Sequence, residues 1–133
     1  EHRRAELRER LFQLTQDAAN IAEMMEETAG TAVLRTELAR AAMDVGKYLA
    51  RATAVDSEKS FRANIEEARL KAIEADYWLR LAYVVQQREE VQRDLSSIIT
   101  QYVGIIDLLH KMGRHVQSAH DVESHTKGPK VNL

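Results

Sequence analysis

Apolar side chains recur at intervals of three and four residues through four successive stretches of this chain, and nothing that must break a helix interrupts them. The lone proline, Pro129, lies close to the end of the 133 residues. Such spacing places side chains on one face of an α-helix. Four helices that each carry one apolar stripe bury it by packing together. The sequence therefore predicts an all-α, up-down-up-down four-helix bundle.

Local signals set the limits of the first three helices. Helix one is predicted over residues 3–28, where Gly30 closes it in the left-handed conformation and Thr31 caps helix two. Asp56 and Ser57 are good N-cap residues, so helix three is expected to begin there.

The second half of the chain has weaker punctuation. Residues 86–89 contain no glycine or proline, but a turn is expected there because it lets each apolar stripe find a partner. The bundle is expected to span residues 1–118. The more polar residues 119–133 are expected to form a flexible tail.

The composition excludes several classes of protein. The chain has no cysteine, so disulfides and thiolate metal sites are impossible, which fits a cytoplasmic protein. No run of about 18 apolar residues occurs, so we expect no membrane span. The 19 basic and 21 acidic residues give a net charge of −2, unlike the strongly basic composition of dedicated nucleic-acid binders.

Helix three carries more apolar surface than one bundle face requires. A first stripe runs from Phe61 to Ala82, and a second lies two residues out of phase, about 200° away around the axis. The predicted subunit interface comprises the second stripe and the adjoining tryptophan: Leu70, Ile73, Tyr77, Trp78, Leu81 and Val84. Aromatic rings of this kind are typical of interfaces. We expect self-association through this face; the alternatives are a thick bundle that buries both stripes and a different partner protein.

Two segments of the chain resemble a known family. Residues 34–42 read Leu-Arg-Thr-Glu-Leu-Ala-Arg-Ala-Ala and, after Phe61, residues 74–81 read Glu-Ala-Asp-Tyr-Trp-Leu-Arg-Leu. This resembles the four helix bundle proteins encoded in intervening sequences of bacterial 23S ribosomal RNA genes. That family is similar to the accessory variability determinant of diversity-generating retroelements. The resemblance implies a homopentameric ring without catalysis or cofactor, acting as a scaffold or adaptor for RNA, DNA or a nucleic-acid-processing protein such as a reverse transcriptase.

A basic stripe on helix two is the best candidate for contacts to phosphate. Arg40, Lys47 and Arg51 are spaced by seven and four residues, so they share one face, and Arg35 lies nearby. The alternative is an ordinary solvated face, with Glu37 and Asp44 as its neighbours. A purely structural oligomer without a nucleic-acid role therefore remains open.

The histidines do not predict a metal site. Four of them recur every five residues, which steps about 140° around a helix and scatters them: His110, His115, His120 and His125. Asp107 and His110 share a face, but the Glu-x-x-His motif of di-iron bundles is missing.

Catalytic motifs are also incomplete. Glu23 and Glu26 supply one half of the paired carboxylate motifs that hold magnesium in all-α pyrophosphatases, and no Glu-x-x-Asp supplies the other half. We predict no enzyme, and a small-molecule hydrolase is the catalytic alternative.

Overall fold

The structure, a computed structural model, describes the backbone of residues 2–126 and the side chains of residues 5–114. Its elements are four helices: α1 (His2–Met24), α2 (Ala29–Ala54), α3 (Glu58–Val85) and α4 (Glu89–Thr126). They form an all-α four-helix bundle, as predicted. Helix α4 continues past Ser118, whereas residues 127–133 lie outside the described part, so the flexible tail stays a prediction.

The boundary between α1 and α2 differs from the prediction. Helix α1 ends at Met24 rather than at Thr28, because Thr28 is the N-cap of α2. The Thr28 hydroxyl accepts a hydrogen bond from the Thr31 backbone N–H at 3.2 Å, and the Thr31 hydroxyl accepts one from the Thr28 N–H at 2.8 Å. This reciprocal pair satisfies two free donors at the helix start. Gly30 therefore lies in the first turn of α2 and closes no helix.

The other two connections lie where they were predicted. Ser57 is the N-cap of α3 and accepts a hydrogen bond from the Ser60 N–H at 3.1 Å. Helix α3 then ends at Val85 and α4 begins at Glu89.

Glutamines hold the α3–α4 turn in place of glycine or proline. The buried Gln86 side-chain oxygen accepts hydrogen bonds from the backbone N–H groups of Gln87 and Arg88, both at 3.2 Å. The Gln92 amide donates to the carbonyl oxygens of Tyr83 at 3.1 Å and Gln86 at 2.7 Å. Groups left unpaired by the end of α3 thus find partners without a special backbone conformation.

The short connections make successive helices antiparallel neighbours. Helix α2 packs against α1 and α3, α3 packs against α2 and α4, and α4 closes on α1 over a smaller area. Within the described residues no Cα atoms of the diagonal pairs α1–α3 and α2–α4 lie within 8 Å of each other.

The core consists of the side chains spaced by three and four residues on all four helices. Its largest fully buried members are Tyr102, Leu38, Ile65, Leu79, Leu95, Ile105, Leu109, Val45 and Val91. Burial, and to a smaller extent the charge of Asp17, raises the pKa of the Tyr102 hydroxyl, so this tyrosine is neutral in the folded protein.

Candidate functional site

Helix α3 buries mostly alanines inside the bundle and keeps most of its large apolar side chains on the outside. The inner face consists of Ile65, Ala68, Ala72, Ala75, Leu79 and Ala82, all essentially inaccessible to solvent. Alanine lets neighbouring helix backbones approach closely but buries little apolar area per residue. The inner face therefore leaves the greater part of the apolar bulk of α3 on the opposite side.

The opposite side of α3 is an exposed apolar surface, which we call the α3 ridge. It consists of Leu70, Ile73, Tyr77, Leu81 and Val84. Tyr77 is 61% exposed and Val84 is 76% exposed, so the single chain does not bury both stripes of α3. Five of the six residues predicted at a subunit interface thus lie together on one accessible face.

Trp78, the sixth residue of the predicted interface, is placed differently. It is only partly exposed and packs against the core. Its ring meets that of Tyr77 edge to face, with centroids 5.0 Å apart and an interplanar angle of 76°. Edge-to-face geometry is favourable for aromatic pairs. Trp78 therefore supports Tyr77 from the edge of the ridge.

Charged residues border the α3 ridge. On the side of α2, Glu67 and Glu74 are seven residues apart, and Glu74 accepts a hydrogen bond from Lys71 at 3.3 Å. This bond raises the pKa of Lys71, and Asp44 of α2 contributes to a smaller extent. On the other side, Arg80 bonds Asp76 at 2.8 Å. The apolar ridge thus has an acidic border toward α2.

The basic stripe predicted on α2 is divided between two directions. Arg35 points toward α1, where its Nε donates to the Ala22 carbonyl oxygen at 2.8 Å and its guanidinium lies 3.6 Å from Glu27. The other three basic residues, Arg40, Lys47 and Arg51, share an outer face.

Local partners occupy the three basic residues of that outer face. Arg40 bonds Glu37 at 3.1 Å and Lys47 lies 3.4 Å from Asp44. Arg51 lies over the Tyr48 ring, 5.3 Å from its centroid. The stripe is therefore less positive than its basic residues alone indicate.

A basic groove between α3 and α4 was not predicted. The groove has a volume of about 570 Å³ and is lined by Lys59, Arg62, Ala63, Glu66, Arg69, His110, Gly113 and Arg114. On α3 the polar residues are spaced by three, four and three, a helical face that could have been recognised from the sequence. Their proximity to His110 and Arg114 of α4 follows only from the packing of the two helices.

Glu66 is the one carboxylate that lines this groove among the described residues. Its two oxygens accept hydrogen bonds from Arg69 at 2.9 and 2.7 Å. These bonds lower the pKa of Glu66, to which the charge of His110 also contributes, and raise the pKa of Arg69. One lysine, three arginines and one histidine thus line the groove together with one carboxylate, which is paired with Arg69.

A second groove, which we call the α1–α2 groove, is apolar. It encloses about 330 Å³ and is lined by Arg8, Leu11, Phe12, Thr15, Met43, Gly46, Leu49 and Ala50. Phe12 and Met43 are exposed at its rim. A Cβ atom at Gly46 would lie in ordinary van der Waals contact with Thr15 Oγ1 at 3.8 Å, so α1 and α2 approach each other closely at this point of the groove.

Groups of three or more side chains suited to binding a metal ion are absent from the described residues. Asp107 bonds Lys111 at 3.0 Å, and Glu23 and Glu26 are exposed. The side chains of His115, His120 and His125 lie outside the described residues. Within the part of the chain that the structure describes, no helix is both long enough and apolar enough to cross a membrane.

Comparison with protein-family models, with curated proteins and with solved structures finds no match for this chain.

Proposed function

We propose that the chain is a non-catalytic helical scaffold whose copies associate through the α3 ridge. The observation that carries the proposal is the reversed arrangement of α3, in which alanines face the core and Leu70, Ile73, Tyr77, Leu81 and Val84 face solvent. Contiguous apolar surface of this kind marks interaction sites on soluble proteins.

Burial of the ridge supplies a large part of the free energy that association requires. Burying a large apolar side chain that was exposed contributes roughly 1.5–3 kcal/mol. The ridge offers five such side chains per copy, each between about one-third and three-quarters exposed. Their partial burial yields a free energy comparable with the roughly 4–15 kcal/mol that association costs in lost freedom of motion. Some contribution from neighbouring surfaces is therefore needed as well.

Light scattering of the purified chain tests the proposal. The protomer mass is 15.2 kDa, and we expect the wild type to have a multiple of it. Val84→Glu introduces a charge at the most exposed ridge residue and is expected to give the protomer mass. Val55→Glu, the same change at an exposed valine after α2, is the matched control and should assemble like the wild type. A monomeric wild type, or assembly of Val84→Glu equal to that of the control, would refute the proposal.

The wider role rests on the resemblance of the two helix segments. On the basis of this resemblance, we also propose that the assembly is a pentameric ring. We propose further that it is located in the cytoplasm and binds a partner such as a reverse transcriptase. The mass measured for the wild type also gives the number of subunits directly, and a number other than five would remove the ring size from the proposal.

A second candidate function is binding of RNA, and the basic α3–α4 groove favours it. The five basic side chains of that groove converge on one helix–helix junction, and the positive end of α3, which begins at Glu58, adds to their field. Contacts between such residues and phosphates release counterions, so binding should weaken steeply with salt.

Matched charge reversals locate the RNA-binding surface. One variant combines Lys59→Glu with Arg114→Glu in the α3–α4 groove; the other combines Arg40→Glu with Lys47→Glu on α2. Both change the net charge by the same amount. We expect the groove variant to lose RNA binding at low salt and the α2 variant to keep most of it. Equal losses, or no salt-dependent binding by the wild type, would contradict the assignment.

A further inference from the structure

We propose that the copies associate head to tail, with the α3 ridge of one copy seated in the α1–α2 groove of the next. This inference rests on the proposed self-association and specifies which surface receives the ridge. The occupant of the α1–α2 groove is therefore a second copy of this chain.

The shape of the groove suits large side chains from a helix. Gly46 and Ala50 form part of its lining, while Phe12 at 68% exposure and Met43 at 57% exposure stand at the rim. Small residues below and large, adaptable ones above make a depression that closes around an inserted side chain. The ridge supplies such a side chain in Tyr77, whose ring projects from α3 with 61% of its surface accessible.

The charges at the edges of the two surfaces are complementary. On the α2 side the ridge is bordered by Glu67 and Glu74, and Glu74 is paired with Lys71. The face of α2 next to the groove carries Arg40, Lys47 and Arg51, of which Arg40 is paired with Glu37 and Lys47 with Asp44. Among the described residues neither Glu67 nor Arg51 makes an ion pair, which leaves a net negative charge beside the ridge and a net positive charge beside the groove. Complementary borders of this kind orient two surfaces and exclude wrong registers.

The positions of the two surfaces allow one copy to contact two others. The ridge lies on α3, whereas the groove belongs to α1 and α2, and α1 lies diagonally across the bundle from α3, with no Cα atoms of the two helices within 8 Å among the described residues. A copy can therefore offer its ridge to one neighbour and its groove to another. Interfaces between unlike surfaces generate a ring when the rotation closes and an open filament when it does not.

Mixing two defective variants tests this arrangement. Val84→Glu damages the ridge and leaves the groove intact, while Ala50→Glu places a charge in the groove at an exposed helical position and leaves the ridge intact. We expect each variant alone to have the protomer mass of 15.2 kDa. Their equimolar mixture should form a complex of twice that mass and nothing larger, because only one intact ridge and one intact groove can meet.

The outcomes separate this inference from the proposed function. Assembly of Ala50→Glu like the wild type, or a mixture that remains at the protomer mass well above the concentration at which the wild type assembles, would overturn the head-to-tail arrangement. Self-association through the ridge would then stand with two ridges facing each other. Assembly of Val84→Glu like the wild type would overturn both. Helical content measured by circular dichroism identifies a variant that fails to fold, and Tyr77→Glu with Met43→Glu then serves as the second pair.

Discussion

Leu79 and Leu81 lie two residues apart on α3 and provide a direct comparison of its two faces. Leu79 is fully buried on the inner face, whereas Leu81 is 37% exposed on the α3 ridge. Replacing each in turn by alanine removes the same atoms from the same helix. The two substitutions therefore differ in surroundings alone.

The expected magnitudes follow from those surroundings. Leu→Ala at a buried site lowers the free energy of unfolding by about 2–5 kcal/mol, with the larger values where the cavity cannot collapse. Ala75 and Ala82 flank Leu79 on the inner face, and their short side chains cannot move into the space. We expect Leu79→Ala to cost about 4 kcal/mol. Leu81→Ala should cost the protomer less than about 1 kcal/mol, since solvent already reaches the site and alanine favours helix.

Urea unfolding followed by circular dichroism measures both effects at low protein concentration. With a slope of about 2 kcal/mol per molar urea, typical of small domains, Leu79→Ala should lower the midpoint by about 2 M. Leu81→Ala should lower it by less than about 0.5 M. Light scattering should rank the two variants the other way round. Under conditions in which both are folded, Leu81→Ala should assemble more weakly than the wild type, and Leu79→Ala should assemble like it.

Concentration dependence supplies the control for this comparison. Association stabilises the folded state by mass action, so the wild-type midpoint should rise with protein concentration and that of Leu81→Ala should rise less. If Leu81→Ala destabilises the chain as much as Leu79→Ala at every concentration, the outer face belongs to the core of a single chain. The reasoning about the α3 ridge would then be wrong.

Three further predictions concern other parts of the bundle. Gln92→Ala removes two hydrogen bonds from the α3–α4 turn and should lower the free energy of unfolding by about 1 kcal/mol, measured by urea unfolding. Ala72→Leu overpacks the inner face of α3 and should cost about 1–3 kcal/mol, whereas Ala63→Leu at an exposed position should change stability by less than about 0.5 kcal/mol; equal effects would contradict close packing there. The hydrogen bonds from Arg69 lower the folded-state pKa of Glu66 below 4.5, so this pair stabilises the fold above pH 4.5 and the contribution is lost as the pH falls through the lowered value. Glu66→Gln should accordingly flatten the acid limb of a plot of thermal midpoint against pH, and an unchanged limb would contradict it.

The core could be predicted from the sequence because each helix repeats one simple period. The spacing of apolar residues fixed which side chains face inward, and Ser57 was recognised as a cap from its residue type. The α1–α2 boundary was predicted wrongly because glycine was expected to end a helix. The reciprocal hydrogen bonds of Thr28 and Thr31 start α2 earlier, with Gly30 inside it.

The surfaces were predictable only where one helix carries them. The α3 ridge could be predicted because its residues form one stripe on one helix. Five of the six residues predicted at the subunit interface belong to it and are accessible. The α3–α4 groove joins Lys59 to Arg114 across 55 positions of sequence, so no local pattern indicates it. The basic stripe of α2 stays a prediction; the structure adds that Glu37 and Asp44 pair with Arg40 and Lys47, which their spacing alone does not show.

The alanine face of α3 also determines when its side chains lose their freedom. Alanine has no rotamers to fix, so packing α3 into the bundle costs almost no side-chain entropy at those positions. Leucine and isoleucine on the other face are exposed in the single chain, so the proposed association has to fix their torsions when two copies meet. At roughly 0.5–1.5 kcal/mol for each side chain immobilised, we expect this ordering to oppose assembly more strongly as the temperature rises.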